Sequence, residues 1–387
     1  MRRSTDRILV SHAGTLPRPD DLAEMMAAGP ASAEAFDRRL PSAVQEVVRK
    51  QAELGIDIVN DGELAKRGGF SGYIRERLTG IEERPEAENL EPRDVTGRDK
   101  RDFPKAFASG IGWFRRATGP VGPLRANAPF FCARPLKYVG QEQIQRDIRN
   151  LKAAVQGLEV DPYLPAITPG TVEHWLWNEH YASDEDFLFA IADALHEEYK
   201  AITDAGCILQ LDDPDLPDGW QMYPDMSVAN YRKYADLRVA AINRALEGVP
   251  QDRVRLHICW GSGHGPHTND IPLSDIVDIA LKVNADCYSV EAGNVRHEHE
   301  WRVWQDARLP YGKSLMPGAV SHATDVVEHP QVVADRLVRY AKVVGRENVI
   351  AGTDCGLGNR VGHGEIAWAK LKMLVEGARL ASRELWS

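Results

Sequence analysis

Residues 207–211 have the sequence CILQL, residues 227–246 have SVANYRKYADLRVAAINRAL, and residues 254–259 have VRLHIC. The first and third segments are short apolar runs, which are typical of buried strands. The segment between them has apolar residues at helical spacing. A strand, a helix and a second strand in this order predict a βαβ unit, in which the two strands are parallel.

The same alternation continues in both directions from this unit. Eight short apolar runs are each followed by a polar, Gly-rich or Pro-rich turn, and helical segments separate most of them. Eight parallel strands favour a closed (β/α)8 TIM barrel of the α/β class over an open doubly wound sheet. No G-x-G-x-x-G motif opens an early helix, which weakens the dinucleotide-binding alternative. The predicted strands are residues 8–11, 56–60, 163–167, 207–211, 254–259, 287–290, 314–320 and 349–352.

A long segment between the second and third predicted strands interrupts the repeat. We expect residues 64–160 to form an excursion from a single barrel domain that spans residues 1–387. Residues 82–105 are heavily charged and predict a solvated segment. The short apolar runs within residues 111–138 predict a β-hairpin, and residues 141–158 predict a helix that returns to the barrel.

The composition excludes several classes of protein. The formal net charge of −10 argues against nucleic acid or an anionic membrane as a partner. The first apolar run is too short for a signal peptide, and no stretch approaches the roughly 18 apolar residues of a transmembrane helix. Five cysteines in 387 residues are too few for a disulfide scaffold and favour a reducing compartment. These features predict a soluble, cytoplasmic protein and leave its oligomeric state open.

Residues of metal-ligand type follow several predicted strands, where the chemistry of a (β/α)8 barrel is located. His257 and Cys259 are two residues apart in the fifth strand, so their side chains point to the same face. Glu291 follows the sixth strand and Cys355 follows the eighth. An imidazole and two thiolates suit Zn²⁺, and the carboxylate would complete a tetrahedral set. Because structural zinc ligands usually come as close-spaced pairs, this wide spacing favours a catalytic metal.

At these positions the chain resembles the cobalamin-independent methionine synthases, specifically their C-terminal catalytic barrel. The resemblance covers most of the chain. Residues 12–18 (HAGTLPR) look like the family's first-strand motif, residues 55–63 (GIDIVNDGE) look like its second-strand motif, and residues 209–214 (LQLDDP) are similar to its substrate-binding strand. The zinc-ligand motifs are matched in order and spacing by His257-x-Cys259, Glu291 and Asp354-Cys355-Gly356-Leu357.

The resemblance implies a zinc-dependent transfer of an alkyl group, most often methyl, to a thiol, with homocysteine as the specific acceptor. It implies that Glu63 and Asp212 hold the acceptor's amino group and that the backbone around Thr15 binds its carboxylate. His12 is assigned to the same substrate site. Zinc fits this chemistry because a free thiol is mostly protonated at pH 7, whereas a zinc-coordinated thiol loses its proton.

Three features depart from the family's pattern. The folate-dependent enzymes carry two barrels, and a chain of 387 residues holds only the catalytic one, so the alkyl donor stays open. The family's seventh-strand histidine falls one position away, at His322, which is the candidate general acid. The loop at residues 261–267 is rich in Gly and His, which predicts a different pocket wall. Trp175 would either stack on a flat donor or pack in the core.

Three other functions remain as alternatives. One is a zinc-dependent thiol transferase that acts on an epoxide or another small electrophile, as in epoxyalkane:coenzyme M transferase. The sulfonate of coenzyme M would need Arg or Lys, whereas Glu63 and Asp212 favour an amino-bearing thiol. The second is a metal-free decarboxylase of the uroporphyrinogen decarboxylase type. The presence of four predicted zinc ligands argues against this alternative. The third is a non-enzymatic zinc- or thiol-binding module.

Other residues of reactive type are expected to be structural. Cys207 lies in a predicted apolar strand and is expected to be a small residue of the core. His297 and His299 are expected on a solvated helix start rather than at a second metal site. Asp212 and Asp213 point to opposite faces of their strand, so at most one of them faces the pocket.

Overall fold

The computed structural model describes residues 1–66, 69–84, 94–109, 129–261, 263–358 and 360–387, without the side chains of residues 69–71 and 74. Parts of three sequence-based predictions lie outside these ranges. They concern the charged segment at 82–105, the predicted hairpin at 111–138 and the loop at 261–267.

The described residues contain eleven strands, and eight of them form one parallel sheet. The strands are β1 Leu9–Val10, β2 Ile58–Val59, β3 Ile81–Glu83, β4 Phe130–Cys132, β5 Asp161–Ile167, β6 Leu176–Asn178, β7 Ile208–Asp213, β8 Val254–Ile258, β9 Cys287–Val290, β10 Ser314–Val320 and β11 Ile350–Thr353. The order in the parallel sheet is β1-β11-β10-β9-β8-β7-β5-β2. These eight strands coincide, within three residues at each end, with the eight predicted from the apolar runs.

Hydrogen bonds join the two edge strands of this sheet. The backbone N of Asp57 donates to the carbonyl of Val10 at 2.9 Å. The hydroxyl of Ser11 donates to the carbonyl of Ile58 at 3.0 Å. The sheet therefore closes on itself, and the predicted (β/α)8 barrel is confirmed.

Fourteen α-helices in the described residues surround or connect the strands. Helix α2 buries Phe36, Leu40, Val44 and Val48, a stripe spaced by four residues that suits packing on a barrel. Among the described helices, none is long and apolar enough to cross a membrane. The helices are α1 Asp20–Ala27, α2 Ala33–Leu54, α3 Gly69–Arg77, α4 Gly97–Asp102, α5 Pro104–Ala108, α6 Gln141–Ala154, α7 Pro169–Glu173, α8 Asp184–Asp204, α9 Asp215–Met222, α10 Val228–Ala245, α11 Leu273–Ala280, α12 Val303–Asp306, α13 Pro330–Val344 and α14 Gly364–Leu385.

The excursion contains antiparallel pairing, but the described partner differs from the predicted one. Strand β4 pairs antiparallel with β3, whose last two residues begin the charged segment, rather than with a strand inside residues 111–138. Strand β4 also pairs in parallel with β6, which follows the barrel strand β5. All three residues of β4 are buried, and pairing on both sides satisfies the backbone groups of this apolar strand. Helix α6 returns the chain to the barrel as predicted.

Candidate metal centre

Three of the four predicted zinc ligands converge at the C-terminal edge of the barrel strands. The ligand atoms of His257, Cys259 and Cys355 all lie within 4.8 Å of one another. His257 is the fourth residue of β8 and Cys259 directly follows that strand, while Cys355 lies two residues beyond the end of β11. His257 and Cys259 are buried and Cys355 is half-buried. The barrel therefore places one imidazole and two thiols around one point.

The imidazole of His257 is oriented with one nitrogen unused. Its Nδ1 is hydrogen-bonded to Ser289 Oγ at 2.9 Å, and Ser289 is its register partner on β9. Its Nε2 is buried and has no hydrogen-bond partner among the described residues. Buried polar atoms are nearly always satisfied, so an orphaned nitrogen beside two thiols marks a place for a ligand. Metal-bound histidines are commonly held through their other nitrogen in this way, and the donor set fits Zn²⁺.

The two thiols differ in their tendency to ionise. The hydrogen bond from the Cys259 thiol, together with the nearby imidazole of His257, holds the pKa of Cys355 well below its ordinary value. The same hydrogen bond raises the pKa of Cys259. Burial lowers the pKa of His257, but the neighbouring Cys355 outweighs burial and the net shift is upward. One thiol of the pair is thus ready to become the thiolate that a metal binds.

Glu291, the fourth predicted ligand, lies in an adjacent group. Its carboxylate accepts hydrogen bonds from the backbone N of Trp260 at 2.9 Å and from Asn294 Nδ2 at 2.7 Å. One carboxylate oxygen of Glu291 lies within 4.8 Å of a ring nitrogen of His322 and of a carboxylate oxygen of Asp354. Burial raises the pKa of Glu291 to about 8. The structure therefore does not place Glu291 in the group of three, and its role as a zinc ligand stays a prediction.

Asp354 ties the loops at this edge together, a role that the sequence analysis missed. Its Oδ1 accepts hydrogen bonds from the backbone N of Ala292 and of Gly293, both at 2.7 Å. Its Oδ2 accepts from Asn294 Nδ2 at 3.0 Å. A side chain at Gly318 would overlap Asp354, so a glycine is required there. Asp354 thereby fixes the loop after β9 relative to its neighbour Cys355. The one available signal in the sequence is that Asp354 directly precedes Cys355 in the motif.

His322 lies in the adjacent group, where its ligand atom is within 4.8 Å of those of Glu291 and Asp354. It is buried at the second position after β10, and its ring centroid lies 6.5 Å from that of His264. Its Nδ1 has no hydrogen-bond partner among the residues that the structure describes. Burial lowers the pKa of His322 to about 3, so the imidazole is neutral at pH 7. Its position fits a proton-handling role, and that role stays a prediction.

The loop after β2 presents Glu63 toward the same end of the barrel. Glu63 has a positive φ of 56°, which is rare for a residue with a side chain. Its backbone N donates to Asp61 Oδ1 at 2.9 Å, which holds this turn. Thr15 Oγ1 donates to Glu63 Oε1 at 3.1 Å, and Lys66 Nζ lies 3.0 Å from Glu63 Oε2. Lys66 was not among the predicted site residues, although its spacing of three from Glu63 permits an ion pair.

Asp212 and Asp213 point in opposite directions, as predicted from strand geometry. Asp212 is the register partner of His257 and accepts from Gln210 Nε2 at 2.7 Å. Burial, reinforced by the charge of Glu63, raises the pKa of Asp212 to about 7. Asp213 instead accepts from Thr168 Oγ1 at 3.1 Å. Asp212 is therefore the one of the two that lies close to Glu63 and to the metal centre.

The remaining two predicted substrate residues have different surroundings. His12 is buried, with its Nε2 hydrogen-bonded to Gln51 Oε1 at 2.9 Å and its Nδ1 near Tyr163 OH at 3.2 Å. These contacts hold the loop after β1, and contact with substrate stays a prediction for His12. Trp175 is 40% exposed, so the core-packing alternative is wrong. Its contact with a flat donor stays a prediction.

His297 does not lie on a solvated helix start, and that expectation is wrong. It is buried and stacks on Trp260 with ring centroids 4.1 Å apart. Its Nδ1 is 2.9 Å from Glu300 Oε2 and its Nε2 is 3.1 Å from Asp270 Oδ2. Burial lowers the pKa of His297, but these carboxylates outweigh it and raise the pKa to about 10. His299 is exposed, so the expected solvated position holds for His299 alone.

The structure is a (β/α)8 barrel in which one histidine and two cysteines surround one point at the C-terminal edge. This combination defines the class of barrels with a candidate zinc centre. Residues 150–380 match the family model for the catalytic domain of cobalamin-independent synthases. The match covers more than half of the chain, and the chain belongs to this family.

Individual relatives agree with this assignment. A methionine synthase of Saccharolobus solfataricus is 25% identical over 383 residues, which cover 96% of this chain and 94% of that protein. A methionine synthase of Sulfolobus acidocaldarius is 24% identical over 378 residues, which cover 96% and 91%. The solved structure of a B12-independent methionine synthase from Shewanella sp. W3-18-1, in complex with selenomethionine, is similar with a TM-score of 0.69 and 22% identity. The likeness covers 98% of this chain and 99% of that one, and it supports the fold.

Proposed function

We propose that this protein is a zinc-dependent methyltransferase whose acceptor is the thiol of homocysteine. The observation that carries the proposal is the convergence of His257, Cys259 and Cys355 within 4.8 Å, with the Nε2 of His257 left without a partner. Membership of the cobalamin-independent synthase family and relatives named methionine synthase support the same activity.

The residues of the centre fit a zinc ion in their donor chemistry. His257, Cys259 and Cys355 would hold it, and Glu291 would supply a fourth, oxygen donor before an acceptor arrives. Bound zinc would lower the pKa of the acceptor thiol so that the thiolate is available at neutral pH. Glu291 is the weakest of these donors for a borderline-soft metal, so its place is the one that an acceptor thiol would take.

The surrounding side chains would bind and orient the acceptor and the donor. Glu63 and Asp212 would receive the acceptor's ammonium group, since both carboxylates are buried at this end of the barrel. The backbone near Thr15 would bind its carboxylate. His322, which is neutral at pH 7, would take up the proton that the acceptor thiol releases and pass it to a leaving amine of the donor. The exposed ring of Trp175 would offer a surface for a flat donor.

The second candidate is thiol transfer to an epoxide, with a sulfonate-bearing thiol such as coenzyme M. It requires a free cation at the end of the site away from the metal. Lys66 is a cation at this position, but its ammonium is already paired with Glu63, and Asp212 adds further negative charge. The local charge therefore favours an ammonium-bearing thiol. The family match likewise supports a transferase over a metal-free decarboxylase.

Zinc-loaded protein incubated with L-homocysteine should form methionine from at least one of three donors, namely a methylated folate, a methylcorrinoid and a methyl sulfonium. Mass spectrometry would measure methionine, and protein stripped of metal by a chelator is the control. We expect product only with metal. Thioether formation from an epoxide, with no methionine from any of the three donors, would instead support the second candidate.

A further inference from the structure

The ion pair between Lys66 and Glu63 lies where the proposed acceptor would bind. Lys66 Nζ is 3.0 Å from Glu63 Oε2 and also donates to the carbonyl of Pro165 at 2.9 Å. The side chains of Lys66 and Glu63 are 15% and 10% exposed. The pair is therefore largely shielded from solvent, which makes it stronger than a surface salt bridge.

Both carboxylate oxygens of Glu63 are engaged before any acceptor arrives. Oε1 accepts from Thr15 Oγ1 at 3.1 Å, and Oε2 faces Lys66. An added Cβ at Gly14 would lie 2.6 Å from Oε1, so this carboxylate oxygen occupies the space that the missing side chain of Gly14 leaves open. An acceptor ammonium that binds at Oε2 must therefore share or replace the contact of Lys66.

The two members of the pair are not equally fixed. The backbone of Glu63 is held by Asp61 and by Arg18, whose Nη2 donates to the Glu63 carbonyl at 3.2 Å. The ammonium of Lys66 lies at the end of a flexible four-carbon chain. Burial lowers the pKa of Lys66, but the charges of Glu63, Asp212 and Asp61 outweigh burial and raise it, so the group is a cation at neutral pH. The Lys66 ammonium contacts Glu63, the carbonyl of Pro165 and the ring of Tyr73, whose centroid is 5.2 Å away. Because the chain that carries this ammonium is flexible whereas the turn at Glu63 is held by its backbone, we expect Lys66 to be the partner that moves.

We infer that Lys66 is a specificity-determining residue whose ammonium occupies the place on Glu63 that an ammonium-bearing acceptor takes, and that such an acceptor displaces it. The inference rests on the proposed function. Exchange of one cation for another keeps Glu63 paired in both states and avoids an uncompensated buried charge. Binding of homocysteine includes the cost of moving Lys66, whereas binding of a thiol without an amino group does not.

The test compares two thiols that differ only in the amino group, L-homocysteine and 4-mercaptobutanoate. Isothermal titration calorimetry on zinc-loaded wild type and Lys66→Met needs no methyl donor. In Lys66→Met the Kd of homocysteine should fall about tenfold, because Glu63 no longer has a competing cation, while that of 4-mercaptobutanoate stays within about twofold. Lys66→Arg keeps a cation beside Glu63, so the Kd of homocysteine should not fall in this variant. Lys66→Gln is a second neutral variant if the Met variant does not fold.

A double-mutant cycle with Glu63→Gln gives an independent check. Once Glu63 is neutral, the ammonium groups of Lys66 and homocysteine no longer compete for its negative charge. Lys66→Met should then no longer tighten homocysteine binding. Equal changes for both thiols, or weaker homocysteine binding in Lys66→Met, would overturn this inference and leave the proposed function intact. A wild-type protein that binds zinc but neither thiol would overturn the proposed function, and this inference with it.

Discussion

Cys355→Ser should lose the bound zinc and reduce thiol methylation to the detection limit, while the barrel stays folded. Cys355 contributes one of only two thiols in the group of three donors, and its pKa is held well below the ordinary value by the Cys259 thiol. A serine hydroxyl is a far poorer zinc ligand than a thiolate. Elemental analysis would measure zinc per chain, and circular dichroism with thermal melting would measure folding.

Cys132→Ser is the matched control for this experiment. Cys132 is also buried, and its thiol donates to the carbonyl of Arg134 at 3.4 Å, so a hydroxyl there keeps a partner. This variant should retain both zinc and activity. Glu291→Gln should lose less metal than Cys355→Ser, since Glu291 lies outside the group of three. Full zinc and full activity in Cys355→Ser would refute the proposed ligand set.

His322→Gln should lower kcat about 100-fold with a donor whose leaving group must be protonated, and leave KM for the thiol nearly unchanged. His322 is buried beside Glu291 and Asp354, and its Nδ1 has no partner among the described residues. Glutamine has a comparable size and can form hydrogen bonds, but it does not transfer a proton. Steady-state kinetics with a methylated folate would measure the loss.

A sulfonium donor separates proton transfer from structure. Its leaving group is a neutral thioether that needs no proton, so His322→Gln should match wild type with this donor. His299→Gln, at an exposed position, is the control and should match wild type with both donors. Equal losses with both donors in His322→Gln would show that His322 only supports the structure of the centre.

Strand periodicity and strand order were sufficient to predict the barrel and the convergence of His257, Cys259 and Cys355. The spacing of His257 and Cys259 places both on one face of a strand, and closure of the barrel brings the end of β11, with Cys355, to the same point. These relations depend on period and order alone, which an amino-acid sequence shows directly. The same reasoning separated Asp212 from Asp213 correctly.

Features that depend on loop conformation or on distant partners were not predicted. The pair of Lys66 and Glu63 lies in a turn where Glu63 has a left-handed backbone, a conformation that glutamate rarely adopts. His297 is buried because Asp270, 27 residues away in sequence, provides a carboxylate for it. Glu291 follows its strand as expected, but hydrogen bonds from Trp260 and Asn294 hold it beside the group of three donors.

The central claim is that His257, Cys259 and Cys355 hold a zinc ion that binds the acceptor thiol. X-ray absorption spectroscopy at the zinc edge, with and without L-homocysteine, tests it most directly. The account predicts two sulfur ligands at about 2.3 Å in the protein alone and three when homocysteine is present. A sulfur count that does not change on addition of homocysteine, in a protein that holds stoichiometric zinc, would contradict it.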